Sequence, residues 1–150
     1  MVKAVNIYTG TYGALFDLFV DNKPSYNDGN SITHTYTVAS SYNRENPVFP
    51  LIVIEEDAVD TKLNNLDGSG EEYFIDVKLE FYAKEKEGKK AISAGKQQIL
   101  KTLIDNQNFL KSNHGVLLRE DFWDDTGIGT FADNNQIINT SSVILKLKLQ

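Results

Sequence analysis

Tyr73-Phe74-Ile75-Asp76-Val77-Lys78-Leu79-Glu80-Phe81-Tyr82-Ala83-Lys84 alternates between two sets of side chains along its whole length. Successive strand residues point to opposite faces of a sheet, so Tyr73, Ile75, Val77, Leu79, Phe81 and Ala83 line one face and the rest line the other. The first face predicts a core and the second a largely wet surface. Lys84 to Lys90 is charged apart from Gly88, which suits a turn or the first solvated turn of a helix. Beyond it, Ile92, Ile99, Leu100, Leu103 and Ile104 recur at helical spacing, with Ala91 and Gly95 near the stripe and Lys96, Gln97, Lys101 and Asp105 turned outward. Tyr73 to Asp105 therefore reads as an amphipathic strand, a charged turn and an amphipathic helix that can lie across the sheet.

Upstream, Ala14, Leu15, Leu18 and Phe19 predict a short amphipathic helix entered near Gly10 and Gly13 and closed by Pro24. Residues 23–46 read as a polar loop or extension in which Ile32, His34, Tyr36 and Val38 alternate with threonines, the pattern of an edge strand. Leu51-Ile52-Val53-Ile54 is a continuous apolar run suited to a central strand. Glu55 to Glu72 is acidic and contains Asp67-Gly68-Ser69-Gly70, so an exposed loop is expected. Gly115 to Trp123 has strand content and Asp124 to Gly129 reads as a turn. Ile137, Ile138, Val143, Leu145, Leu147 and Leu149 complete two closing antiparallel strands. With no internal repeat, this order predicts one α+β domain over residues 1–150. Its sheet is mostly antiparallel, with one long helix packed on one face and a short N-terminal helix.

Composition narrows the function. The 150 residues contain no cysteine, so disulfides and thiolate metal sites are excluded. A formal charge of −6 argues against a surface built to grip phosphates. No stretch is long and apolar enough to cross a bilayer, and a soluble protein made in the cytoplasm is expected. Only His34 and His114 offer near-neutral acid–base chemistry, in unrelated contexts. Asp124-Asp125-Thr126-Gly127 is the most calcium-like cluster, yet it lacks the alternating ligands of an EF-hand. Gly10-Thr11-Tyr12-Gly13 and Gly127-Ile128-Gly129 are not followed by the Lys and Ser/Thr of a phosphate loop. No catalytic, cofactor or metal residue is assigned, and solvated charge or turn structure accounts for each cluster.

Aromatics in polar stretches, namely Tyr26, Tyr36, Tyr42, Phe109, Phe122 and Trp123, are either core or interface anchors. On the wet face of the long strand, Phe74, Asp76, Lys78, Glu80 and Tyr82 are candidates, with Trp123, for subunit or partner contact. Cross-strand charge pairing is the plainer reading of that face.

Taken in order, the short helix, Phe49-Pro50-Leu51-Ile52-Val53-Ile54-Glu55, the acidic loop, the strand Phe74 to Lys84, the helix Ala91 to Asp105 and the two closing strands resemble the tail terminator proteins of long-tailed bacteriophages, also called tail completion or head–tail joining proteins. The resemblance covers most of the chain and rests on element order; residues 25–46 match no element of it. It implies a non-enzymatic virion protein at the neck, without cofactor. Such a subunit forms a homohexameric ring that caps the tail tube, ends its polymerisation and meets the tail-tube and head-closure proteins. DNA slides through such a ring without specific binding, so an acidic inner wall is expected from Glu55, Glu56, Asp57, Asp60, Asp67, Asp124 and Asp125. Another neck component such as a stopper, a small binding module holding a partner through Trp123, and a hydrolase dependent on His34 or His114 are the alternatives.

Overall fold

A computed structural model describes residues 7–63, 71–86, 88–133 and 135–149, with side chains for 10–55, 73–86, 88–133 and 135–149. The chain runs α1 (Ile7–Asp21), β1 (Ser25–Asn27), β2 (Thr33–Thr35), β3 (Thr37–Ala39), β4 (Leu51–Leu63) and β5 (Glu71–Lys84). It continues through α2 (Gly88–Asp105), α3 (Gln107–His114), β6 (Val116–Asp133) and β7 (Gln136–Leu149). Five strands form a sheet in the order β3-β4-β5-β7-β6, parallel between β3 and β4 and antiparallel elsewhere, while β1 and β2 form a separate ribbon. The protein is α+β with a mostly antiparallel sheet, a long helix and a shorter N-terminal one.

Alternation in β5 sets the layers. Ile75, Val77 and Leu79 stand opposite Leu147, Leu145 and Val143 of β7, and all six are buried beneath the helices. Ala14, Leu15, Leu18 and Phe19 of α1 join this core from above Ile52 and Ile54, and α2 adds Ala91, Ile92, Ile99 and Leu103. The buried stripe of α2 omits two residues expected to lie in it, Leu100, which is half-buried, and Ile104, which is 47% exposed, because Ile99 and Leu103 already carry the face and positions 100 and 104 turn away from it.

Tyr36 is the largest of the fully buried side chains, meeting Phe81 edge-on at 6.3 Å and donating its hydroxyl to the Ala91 carbonyl at 2.5 Å. Its ring reaches that carbonyl across Gly95, where an ideal Cβ would stand 2.8 Å from the Tyr36 Cζ. Gly95 thus provides a close approach that no other residue permits, against its poor helix propensity.

Residues 23–46 fold onto this frame. Gln98 of α2 clamps β1, accepting from the Ser25 N–H at 2.9 Å and donating to its carbonyl at 2.5 Å. In the ribbon turn, Asp28 accepts from the backbone of Asn30 and Ile32 and bonds the His34 ring at 2.8 Å, while Tyr26 stacks on His34. The single edge strand expected over Ile32 to Val38 is therefore two strands, and only β3 borders the main sheet. Tyr26 and Tyr36, open to either reading as aromatics in a polar stretch, are core residues.

Three further expectations are corrected, and one element is new. Glu55 to Glu72 is not a plain loop: β4 continues to Leu63 and β5 begins at Glu71, paired from Leu51↔Tyr82 to Leu63↔Glu71 with a bulge between Glu56 and Ala58. Asp124 to Gly129 is not a turn but part of β6, bulged between Asp125 and Ile128. The chain instead reverses after Asp133, where Asn135 has φ 63°. Gly10 and Gly13 lie inside α1. An unexpected helix, α3, follows Asn106: Leu110 anchors it in the core and Gly115, at φ 66°, closes it in the left-handed conformation.

Candidate functional surface on the second face of the sheet

Because all three helices contribute to the core beneath one face, the side chains that alternate with that core define a second face. β5 supplies Phe74, Asp76, Lys78, Glu80 and Tyr82, and its neighbours are fixed by register: Glu55 opposite Lys78, Lys146 opposite Asp76, and Lys148 opposite Phe74. Asp124 of β6 stands opposite Ile144 and reaches toward Lys146, 3.8 Å away. Lys78 pairs with Glu80 at 3.5 Å, Arg119 pairs with Asp121 at 3.3 Å, and the Arg119 guanidinium lies 5.0 Å from the Phe74 ring centre. Opposite charges along single strands and between adjacent ones thus neutralise each other.

The expected contact residues and the expected acidic residues are accordingly not separate groups. Glu55 and Asp124 share the face of Asp76, Lys78 and Glu80. Asp125, one residue on, faces the helices: it bonds Lys96 of α2 at 2.7 Å and accepts from the Gly127 N–H at 2.9 Å. Burial raises the affinity of Asp125 for a proton, but these hydrogen bonds outweigh it and hold the carboxyl below its usual range. Glu56, Asp57 and Asp60 lie along β4 with side chains outside the described residues, and Asp67 lies outside them altogether. Trp123 does not extend from a loop; it stands opposite Leu145 in β6 and packs half-buried against the core beside Phe122.

Tyr82 is also not open surface, being 9% exposed. Residues 40–50 fold back over this end of the second face, placing Tyr42 and Phe49 with Phe131 over Leu51, Val53, Tyr82 and Ile138. Tyr42 stands 4.9 Å from Tyr82 and 6.0 Å from Phe131, and its hydroxyl donates to Asp133 at 2.6 Å. Burial, then the Asp133 carboxylate, pushes the Tyr42 hydroxyl up to about 12. Tyr82 is raised further by burial and by donating to Glu80. A cleft of about 550 Å³ opens between this aromatic cover and the strands, floored by Thr140 and Ser142 and bordered by Glu80 and Arg44. Sequence reading missed it because Tyr42 and Tyr82 are brought together only by the return of residues 40–50.

His34 is engaged by Asp28, and His114, ending α3, meets Phe109 edge-on at 5.5 Å. Among the described residues no group of three or more His, Cys, Asp or Glu side chains could hold a metal ion, and no helix is long and apolar enough to cross a membrane. No model of a known protein family matches the chain, and no curated protein matches it.

Proposed function

We propose that this chain is a non-enzymatic structural subunit of a long-tailed phage, a tail terminator whose ring caps the tail tube, stops its growth and joins it to the neck. The observation that carries the reading is the two-faced sheet reached through the order α1, β4, β5, α2, β6, β7. Helices clothe one face, and the other carries carboxylates and cations in mutual pairs. A wall beside sliding DNA must present charge without a positive field, because each unpaired cation adds a phosphate contact and an energetic trap. Glu55, Asp76, Glu80 and Asp124 set against Lys78, Lys146, Lys148 and Arg119 meet that need.

We assign this face to the channel in preference to subunit contact, since burying ion pairs against a neighbour would desolvate them at a cost their attraction rarely recovers. The ring is a homohexamer in the reading that the resemblance implies, with tail-tube and head-closure proteins above and below it, placing the protein in the virion neck. Adding purified protein to polymerising tail-tube protein tests this. Tubes of shortened length with a ring at one end are expected, whereas tubes of unaltered length and bare ends would count against it.

A further inference from the structure

We infer that copies of this chain join head to tail, a basic turn at the start of α2 seating in an acidic cleft at its far end. Closure of such contacts into a ring rests on the reading above; the contact itself does not. The cleft, about 420 Å³, lies where the three helices end: Asp21 and Asn22 close α1, Asn106 follows α2 and His114 ends α3. Ala14, Leu18 and Phe109 make it apolar, and Phe109 is 45% exposed, an aromatic ring left in water. Its carboxylates are Asp17 and Asp21, one helical turn apart on α1, and among the described residues no hydrogen bond or ion pair engages either. Lys23, Lys101 and Lys111 do not line it, and Lys101 is paired with Asp105.

At the other end of α2, Lys84-Glu85-Lys86-Glu87-Gly88-Lys89-Lys90 sets four lysines against two glutamates. All four lysines are exposed, and none forms an ion pair among the described residues. In both places charge opposes the helix that carries it. Helix N-termini favour anions and C-termini cations, yet the first turn of α2 holds Lys89 and Lys90 and no acidic residue, while the last turn of α1 holds Asp21 and no basic one. Each patch weakens its own helix and complements the other patch. The 18 residues of α2 span roughly 27 Å, so the turn cannot reach the cleft of its own subunit. A second copy can: lysine stems lie on Leu18 and Phe109 while the ammonium groups meet the aspartates and the Phe109 ring. Turn and cleft are different surfaces, so the contact is heterologous and each copy uses both, closing where the rotation per step allows. Unlike the second face, this contact pairs charges that are unmatched within the subunit, at an exposed rim where desolvation is small.

Sedimentation velocity of Lys89→Glu/Lys90→Glu, of Asp17→Lys/Asp21→Lys and of the variant carrying all four changes tests the contact. Wild-type protein should associate at low salt and dissociate in about 1 M salt, where charges are screened beyond about 3 Å. Each two-site variant should associate about tenfold or more weakly, although its charges now suit the helix ends and its fold should resist urea at least as well. The four-site variant, and an equimolar mixture of the two-site variants, should recover association. Wild-type monomers at low salt, two-site variants that associate normally, or a folded four-site variant that does not recover would each overturn the inference. Open chains of many lengths that respond to the swaps would keep the contact and sink the ring, whereas six-copy rings that ignore the swaps would keep the ring and sink the contact.

Discussion

At residue 95 a single missing methyl group decides how α2 meets the sheet. Tyr36 crosses the helix at Gly95 to reach the Ala91 carbonyl, so Gly95→Ala should destabilise the protein by about 1–3 kcal/mol despite the better helix propensity of alanine. Urea unfolding checks this, and Tyr36→Phe in the same background should recover little, because the ring carbon as well as the hydroxyl is 2.8 Å from the added Cβ. Tyr42 offers a second test. Its folded-state titration lies near 12 against an ordinary 10.0, so the stabilisation from its neutral hydroxyl is complete below about pH 10 and lost as pH rises through 12. The tyrosinate component that titrates near pH 12 in the 295 nm absorbance should disappear in Tyr42→Phe, leaving the still later one of Tyr82. Asp28 behaves in the opposite sense: chiefly through its bond to His34, then those from Ile32 and Asn30, it titrates below 3.8. Its contribution is present above that value and lost as pH falls through the folded one, so the ribbon should loosen in acid, and Asp28→Asn should loosen it at neutral pH. Amide exchange of residues 25–35 reads both.

Among the elements, β5 and α2 were legible because each carries one uninterrupted period, two for the strand and 3.6 for the helix, and each is buried chiefly on one side. Loss of that signal explains what was missed. From Glu55 onward β4 is rich in charge and contains a bulge, which shifts the phase of alternation and imitates a loop. In β6, Asp125, Thr126 and Gly127 have turn chemistry but are knitted to β7 by side chains: Thr126 Oγ1 donates to the Ser142 carbonyl and accepts from its N–H, and Ser141 donates to the Gly127 carbonyl. Gly127 sits at φ 85° within the bulged stretch, so the residue types that read as a reversal serve an irregularity inside the strand instead. The end of α3 had a readable signal in Lys111, His114 and Gly115, but Asn106-Gln107-Asn108 read as a break and its lone buried apolar residue, Leu110, shows no period. Among the same elements, Gln98→Ala should release β1 from α2 at a cost of about 1 kcal/mol, with faster exchange confined to the ribbon and the Ser25 region.

For the whole molecule, sequence and structure agree on an asymmetric slab, helices on one side and paired charge on the other. The paired face was only half legible. Alternation in β5 placed Phe74, Asp76, Lys78, Glu80 and Tyr82 together, but joining Glu55 and Asp124 to them required the strand order, and covering Tyr82 required the return of residues 40–50. Neither pairing order nor a long-range cover leaves a local periodicity. The ring reading makes one demand on the entire subunit, that copies assemble around an open channel. Negative-stain microscopy of the purified protein, alone and mixed with tail-tube protein, reads this directly. Rings of six copies with a central hole, free or seated on tube ends, are the predicted result. Isolated monomers in both preparations, with tube ends left bare, would contradict it.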